Sequence, residues 1–390
     1  MKKPDAGEKM DGFRTNCGHS TRMVSGEKGN SGFNMLDNIR RRRTRRIQIG
    51  SVPIGDGAPI AVQSMTNTDT RRIDATVDQI RALAEAGCEI VRLAVPDAEA
   101  ARALREIRSQ IGLPLIADIH FDHRLAIASL DAGAEGLRIN PGNIGGKAAL
   151  TRVIHAARER RVPIRIGVNA GSLQKDILEA YGHPTPEAMV ASALEHLRFF
   201  EAEGFTDIKV SLKSSRVLDT IRAYERFSEA VDYPLHLGVT EAGTLISGTV
   251  KSAIGIGYLL AEGIGDTFRV SLSRDPVEEV KVAYEILRAL ELRHRGPEII
   301  SCPTCGRCEI DLFRLVEEVE RALSGMTASF KIAIMGCVVN GPGEAREADV
   351  GIAGGRGQGI LFRKGEVVRK VPEADLARVL LDEVQKLTSQ

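Results

Sequence analysis

The chain has 390 residues, 43% of them hydrophobic and 27% charged, the profile of a globular protein with enough apolar surface to bury rather than of a disordered chain. Its 53 Lys and Arg offset 52 Asp and Glu, so no whole-molecule field draws it to nucleic acid or an anionic membrane, and any anion must be bound locally. Aromatic residues are only 4% with no Trp, which argues against a stacking platform for single-stranded nucleic acid, and no apolar run approaches the roughly 18 residues of a membrane span.

Residues 1–34 are rich in Gly, Ser, Lys and Asn and lack the apolar stretch of a secretory signal, so they are expected to form a disordered leader. Asp5, Glu8 and Asp11 argue against an organelle transit peptide, and Met35 is a candidate start. The basic run Arg40 to Arg43, with Arg45 and Arg46, is expected to be a solvated flank in preference to a nucleic-acid patch. The segment from Arg46 to Gly57 reads as a short strand pair that could plug a barrel floor.

From Ala58 to about Arg293, short β-rich runs alternate with amphipathic helical patterns, the signature of repeated βα units. The runs centre on residues 59–63, 90–93, 113–117, 136–139, 163–168, 208–211, 235–239 and 268–272. Helices such as 75–86, 187–203 and 277–292 lie between them, several closed by Gly87, Gly133 or Gly204. Eight units predict an α/β chain whose main domain, residues 35–294, is a (β/α)8 TIM-type barrel. A doubly wound open sheet is the alternative, but no G-x-G-x-x-G follows the first strand.

In such a barrel the active site lies at the C-terminal ends of the strands, and these ends are polar here. Gln63, Ser64 and Asn67 follow the first strand, Arg92 lies in the second, and Asp118 and His120 end the third. Next come Arg138, Asn140 and Asn143, then Arg165 and Asn169, Ser211 and Lys213, Thr240 and Glu241, and Arg269 with Ser271. Any single Arg inside a barrel is as readily a structural ion pair as a ligand-binding group, and Asp118 with His120 reads first as a satisfied structural pair. Arg92, Arg138, Arg165, Arg269 and Lys213 converging on one mouth would be costly without an anion, and guanidinium geometry suits a phosphate or diphosphate ester. Glu241, a carboxylate amid these cations, could orient hydroxyls or carry a proton.

After Gly296 the composition changes, and residues 295–390 are expected to form a separate small α+β domain, with a helix at about 309–323, a strand at 331–335 and a final helix at 373–387. Four of the six Cys fall here: Cys302, Cys305 and Cys308 in C-x2-C-x2-C, and Cys337 just before Asn340-Gly341-Pro342-Gly343. The spacing suits either a zinc knuckle or an iron–sulfur cluster. Thiols in a chain without a secretory signal fit a reducing, cytoplasmic setting.

The strings S-C-P-T-C-G-R from Ser301, G-C-V-V-N-G-P-G-E-A from Gly336, Q-S-M-T-N-T from Gln63, R-I-N-P-G-N from Arg138 and R-I-G-V-N-A-G-S-L from Arg165 resemble the bacterial 4-hydroxy-3-methylbut-2-enyl diphosphate synthases of isoprenoid precursor synthesis. The likeness runs from about Arg43 to Leu387. It implies a [4Fe–4S] cluster held by Cys302, Cys305, Cys337 and Glu344, and 2-C-methyl-D-erythritol 2,4-cyclodiphosphate as substrate. It also implies that Arg138, Arg165, Asn169, Lys213, Thr240, Arg269 and Ser271 hold the diphosphate, with Arg92 beside them from its strand position, while Glu241 assists proton transfer. Reduced flavodoxin or ferredoxin would supply electrons to a homodimer in which the small domain of one subunit covers the barrel mouth of the other. By bare spacing Cys308 would be the fourth ligand; the resemblance prefers Glu344 and leaves Cys308 as a partly buried thiol at the start of the next helix.

Overall fold

The computed structural model describes residues 39–337, 343 and 346–388; the expected leader at 1–34 and Glu344 lie outside the described residues. Two short antiparallel strands, β1 (Ile47–Ile49) and β2 (Val52–Ile54), pair ahead of the βα repeats. Their alternate apolar residues Ile47, Ile49 and Ile54 pack against Ala61, Ile90 and Ile116, which lie at the starting ends of barrel strands, so the pair closes the barrel floor as expected.

Eight parallel strands come next, each expected from its apolar run: β3 (Ala61–Met65), β4 (Ile90–Ala94), β5 (Leu115–Ile119), β6 (Gly136–Ile139), β7 (Ile164–Asn169), β8 (Ile208–Lys213), β9 (His236–Leu237) and β10 (Thr267–Phe268). They form one sheet in the order β8-β7-β6-β5-β4-β3-β10-β9. A single parallel bridge between Val210 and Leu235 joins its two edges into a closed ring. The outer layer comprises α1 (Ile73–Ala86), α2 (Ala98–Gln110), α3 (His123–Asp131), α4 (Lys147–Arg160), α5 (Lys175–Tyr181), α6 (Pro186–Ala202), α7 (Val217–Ala230), α8 (Leu245–Ala261) and α9 (Pro276–Ala289). Nearly every strand residue is buried, because strand faces turned outward meet helices and those turned inward meet one another.

β9 and β10 are shorter than their apolar runs suggested, since Gly238 to Glu241 and Arg269 to Leu272 leave the ladder to form loops at the barrel mouth. At the β8–β9 edge the hydroxyl of Tyr224 on α7 takes over the ladder's work. It accepts from Leu212 N–H at 3.1 Å and donates to the carbonyl of His236.

The basic run is a solvated flank at Arg40, Arg43, Arg45 and Arg46, which are exposed, but not at Arg41 and Arg42. Arg41 donates to the carbonyls of Ala58 and Gly265 and to Asp266, and Arg42 donates to those of Ser228, Val231 and Tyr233. These are main-chain carbonyls at the floor end, where strands and helices leave acceptors unsatisfied, so the two guanidinium groups act as a strap under the barrel.

The C-terminal region forms a five-stranded sheet in the order β11 (Glu298–Ser301), β12 (Lys331–Met335), β13 (Val350–Gly355), β14 (Gln358–Arg363), β15 (Glu366–Pro372). The first three strands are parallel and the last two antiparallel. Leu312, Leu315, Val319 and Leu323 along α10 (Leu312–Leu323) and Leu376, Leu380 and Val384 along α11 (Leu376–Thr388) recur at helical spacing and share one core with Ile332, Ile334 and Ile352. Burying each such Leu contributes about 2 kcal/mol. α10 begins at Leu312 rather than 309, because Asp311 caps it by accepting from Arg314 N–H at 3.2 Å. Cys308 therefore precedes the helix, in a half-buried loop, and does not begin it.

Candidate active site

Parallel register decides which side chains meet inside the barrel. Asp118 on β5 is level with Arg138 on β6, Arg138 with Arg165 on β7, and Arg165 with Lys209 on β8; above them Asn169 is level with Lys213. Registered neighbours in a parallel sheet point to the same face, so this row is one wall of the barrel interior. Arg92, Arg138, Arg165, Lys209 and Lys213 are all buried.

Asp118 is the carboxylate that organises the wall. Arg138 Nη1 donates to its Oδ1 at 3.0 Å, Arg92 Nε stands 3.6 Å from its Oδ2, and His120 Nε2 also lies at 3.6 Å. Burial alone would raise the Asp118 carboxyl, but Arg92, the His120 ring, Arg138 and Arg165 outweigh it and hold it well below the usual range. Asp118 pairs with His120 as expected, but Arg138 is its nearer partner.

Among the described residues the interior carries six cations, Arg92, Arg138, Arg165, Lys209, Lys213 and Arg269, against the buried carboxylates Asp118 and Glu279, with a third, Asp266, at the floor paired to Arg41. The imbalance is visible in the titrations. Burial first, then the neighbouring cations, pushes Lys213, Lys209 and Arg165 well below their ordinary values; burial brings Arg92 down to about 10, Asp118 opposing the shift. It is visible in the hydrogen bonding as well: Arg138 Nε, Arg165 Nε and Nη1, and Lys209 Nζ are buried with no partner. Buried donors left this way are costly, and an acceptor-rich anion would suit them.

Close backbone approach makes room for the cations. A Cβ at Gly167 would stand 2.8 Å from Arg138 Nε, and one at Gly238 would stand 2.6 Å from Lys213 Nζ. Met65 Sδ lies 3.0 Å from Arg92 Nη2 and 3.4 Å from Arg269 Nη1, so one polarizable thioether separates two guanidinium groups.

Thr240, Asn169 and Ser271 are half-buried at the rim. Glu241 is exposed on the turn after β9 with φ +52, a left-handed conformation that a non-glycine residue adopts only under local constraint. Asn140 is occupied locally, accepting from Gly142 N–H at 3.2 Å and donating to Ser172 Oγ at 3.1 Å.

Three side chains of the site escaped the strand-end reading. Lys209 was legible, because alternation along β8 puts it on the face of Ser211 and Lys213. Buried His236, whose Nδ1 meets Thr267 Oγ1 at 2.7 Å, sits in a two-residue strand too short to show alternation. Glu279 comes from a helix, where nothing in the sequence points inward to a strand end.

The cysteines lie at one end of the C-terminal sheet. Cys302 directly follows β11 and Cys337 follows β12, its parallel neighbour, so both leave the sheet at the same edge. Gly336 N–H donates to Cys302 Sγ at 3.2 Å, and a Cβ at Gly336 would stand 2.6 Å from Cys308 Sγ and 3.5 Å from Cys302 Sγ. The thiol-rich donor set fits iron–sulfur chemistry. Among the described residues no three His, Cys, Asp or Glu side chains converge on one point. Cys308 Sγ is turned to the carbonyl of Ile310 at 3.3 Å.

Comparison with known proteins agrees with both halves. Residues 44–284 match the GcpE TIM-barrel domain and residues 298–386 the GcpE protein C-terminal domain. The chain is 62% identical over 348 residues to a protein of Geobacter sulfurreducens, covering 89% of this chain and 99% of that one. It is 65% identical over 333 residues to one of Nitratidesulfovibrio vulgaris, covering 85% and 86%, and 59% identical over 348 residues to one of Thermodesulfovibrio yellowstonii, covering 89% and 100%. Each of these relatives is named 4-hydroxy-3-methylbut-2-en-1-yl diphosphate synthase (flavodoxin). With both domains matched in order and the polar strand ends in place, the chain belongs to the GcpE family.

Proposed function

We infer that this protein reductively opens 2-C-methyl-D-erythritol 2,4-cyclodiphosphate to 4-hydroxy-3-methylbut-2-enyl diphosphate and water, consuming two electrons and two protons, as an iron–sulfur enzyme of isoprenoid precursor synthesis. The observation that carries the reading is the pair of sites in one chain: a barrel interior with more cations than carboxylates and with buried cationic donor atoms left without a partner, and a thiol-lined sheet end. The barrel through residue 294 is the substrate domain and residues 295–390 the cluster domain.

In the barrel, Arg92, Arg138, Arg165, Lys213 and Arg269 bind the diphosphate, with Asn169, Thr240 and Ser271 as neutral donors at the rim. Their positive charge also stabilises the diphosphate as a leaving group when the ring opens. Glu241 handles a proton at the rim, where an exposed carboxylate can exchange with solvent. Cys302, Cys305 and Cys337, with Glu344 from outside the described residues, would hold a [4Fe–4S] cluster. When bound, that cluster supplies low-potential electrons and an iron able to accept a substrate oxygen.

Reduced flavodoxin, named with the relatives, or ferredoxin is the electron donor. A homodimer fits the surface of α8, where Ile246, Val250, Ile254 and Tyr258 recur every four residues and stay 79%, 52%, 53% and 45% exposed. Such an apolar row is unusual on a surface that meets only water, and a second copy is its proposed occupant. Among the described residues no helix is long and apolar enough to cross a membrane. The thiols suit a reducing cytoplasm.

The test is anaerobic turnover of the cyclic diphosphate with a low-potential reductant, alongside iron and acid-labile sulfide analysis. Product formation by brown, iron-containing protein is expected. Colourless protein carrying a single zinc and no turnover would overturn the reading.

A further inference from the structure

Glu279 belongs to the outer helical layer, in the first turn of α9, yet it is only 5% exposed. Its Oε1 accepts from Leu272 N–H at 2.9 Å, while its Oε2 stands 3.5 Å from Ser64 Oγ and 3.5 Å from Arg269 Nε. One carboxylate thus ties three things together: the end of β3, the loop that leaves β10, and a guanidinium of the barrel mouth. The same loop carries Ser271, between Arg269 and Leu272. Asp275 caps α9 by accepting from Val277 N–H at 2.9 Å, which anchors the turn from which Glu279 reaches inward.

We propose that Glu279 is a positioning residue for the diphosphate site, holding Arg269 and the backbone from Val270 to Leu272 in the conformation that presents Arg269 and Ser271 to the ligand. The inference rests on the reading of the barrel mouth as a diphosphate site. The competing role is a bare counter-charge that offsets Arg269 without shaping it. The two roles differ in sign. Removing a bare negative charge beside an anion site tightens anion binding, whereas losing a positioning contact weakens it.

The experiment measures the Kd of inorganic diphosphate for the anaerobically prepared, cluster-loaded enzyme by calorimetry. In Glu279→Gln the amide oxygen can still accept from Leu272, but its NH2 then faces Arg269 Nε–H, donor against donor, and Arg269 is turned away. Kd is expected to rise about tenfold, and the double variant Arg269→Ala with Glu279→Gln to bind no worse than Arg269→Ala alone, because the two residues act through one contact. Glu279→Asp keeps the charge but is one methylene short; it is expected to weaken binding as well, and it carries the comparison if the Gln variant does not fold. Tighter binding by Glu279→Gln, or a loss that simply adds to that of Arg269→Ala, would overturn the inference. If Arg269→Ala itself leaves diphosphate affinity unchanged, the diphosphate reading of the mouth fails and this inference with it. If Arg269→Ala weakens binding while both Glu279 variants bind as the parent does, only the inference falls.

Discussion

The barrel interior and the cysteine end of the C-terminal sheet prepare for charge in opposite ways. Inside the barrel Asp118, Arg138, Arg165, Lys209 and Lys213 sit on strands, buried and fixed by register, so the cost of holding them is met by the fold before any ligand arrives. At the sheet end the donors sit in loops beyond the strands, with Cys302, Cys308 and Cys337 half-buried and Cys305 exposed. A rigid wall selects a ligand by shape and charge, whereas a loop of thiols can be assembled around an inorganic centre and still adjust to it.

If the two regions are separable in this way, damage to one should spare the other. The largest effect is expected from Cys302→Ser or Cys337→Ser. Iron content and turnover should fall, turnover to below about a thousandth of the parent enzyme's, while inorganic diphosphate still binds the barrel with near-parental Kd. Loss of diphosphate binding in these variants would mean the regions are coupled. The converse is Arg138→Ala or Arg165→Ala, each expected to cost about 2 to 5 kcal/mol in substrate binding. KM should rise while iron content and the visible spectrum stay intact; lost colour with unchanged KM would tie these residues to the C-terminal region instead.

Glu241→Gln keeps the shape of the rim and removes its charge, so kcat is expected to fall by about 10² with KM little changed. An unchanged kcat would make Glu241 a bystander to the chemistry. Cys308→Ser set beside Glu344→Gln sharpens the cysteine end. The Ser variant is expected to retain iron and most of its activity, and the Gln variant to keep much of its iron yet lose turnover. A bleached Cys308→Ser beside a fully active Glu344→Gln would reverse the ligand assignment.

The smallest effect is a proton count. Burial and neighbouring cations lower the Lys213 ammonium well below its ordinary value of 10.5. An arriving dianion favours the charged form, so in the window between the lowered value and 10.5 binding should take up protons. Apparent affinity should therefore fall as pH rises through that window. Calorimetry of diphosphate binding in buffers of different ionisation enthalpy reads the uptake directly; proton release would contradict it.

The parts that were legible in the sequence were those governed by short-range pattern. Alternating apolar runs and helical periods marked all eight barrel strands, the floor pair and the C-terminal sheet domain, and the polar residues just beyond each strand marked the mouth. What escaped depended on contacts distant in the chain. Arg41 and Arg42 meet carbonyls more than 180 residues away, so two members of an otherwise exposed basic run are a fastening. Glu279 reaches Ser64 across 215 residues of chain, and no local pattern announces it. α10 starts at Leu312 rather than about 309 because Asp311 caps it, a bond set by local backbone geometry and not by the helical period.

The ring of strands is not equally firm all the way round. Between β8 and β9 the main chains are joined by Val210 N–H to Pro234 at 3.0 Å and Thr240 N–H to Ser214 at 3.2 Å, with the phenol of Tyr224 inserted between them. This joint lies in the wall where Lys213 stands on one side and Thr240 on the other. An anion gripped from both sides, as the proposed diphosphate site requires, would bridge the gap as a rivet bridges two plates. Occupancy and ring closure would then form one equilibrium, and amide exchange at Leu212 and Thr240 would slow together as the site fills.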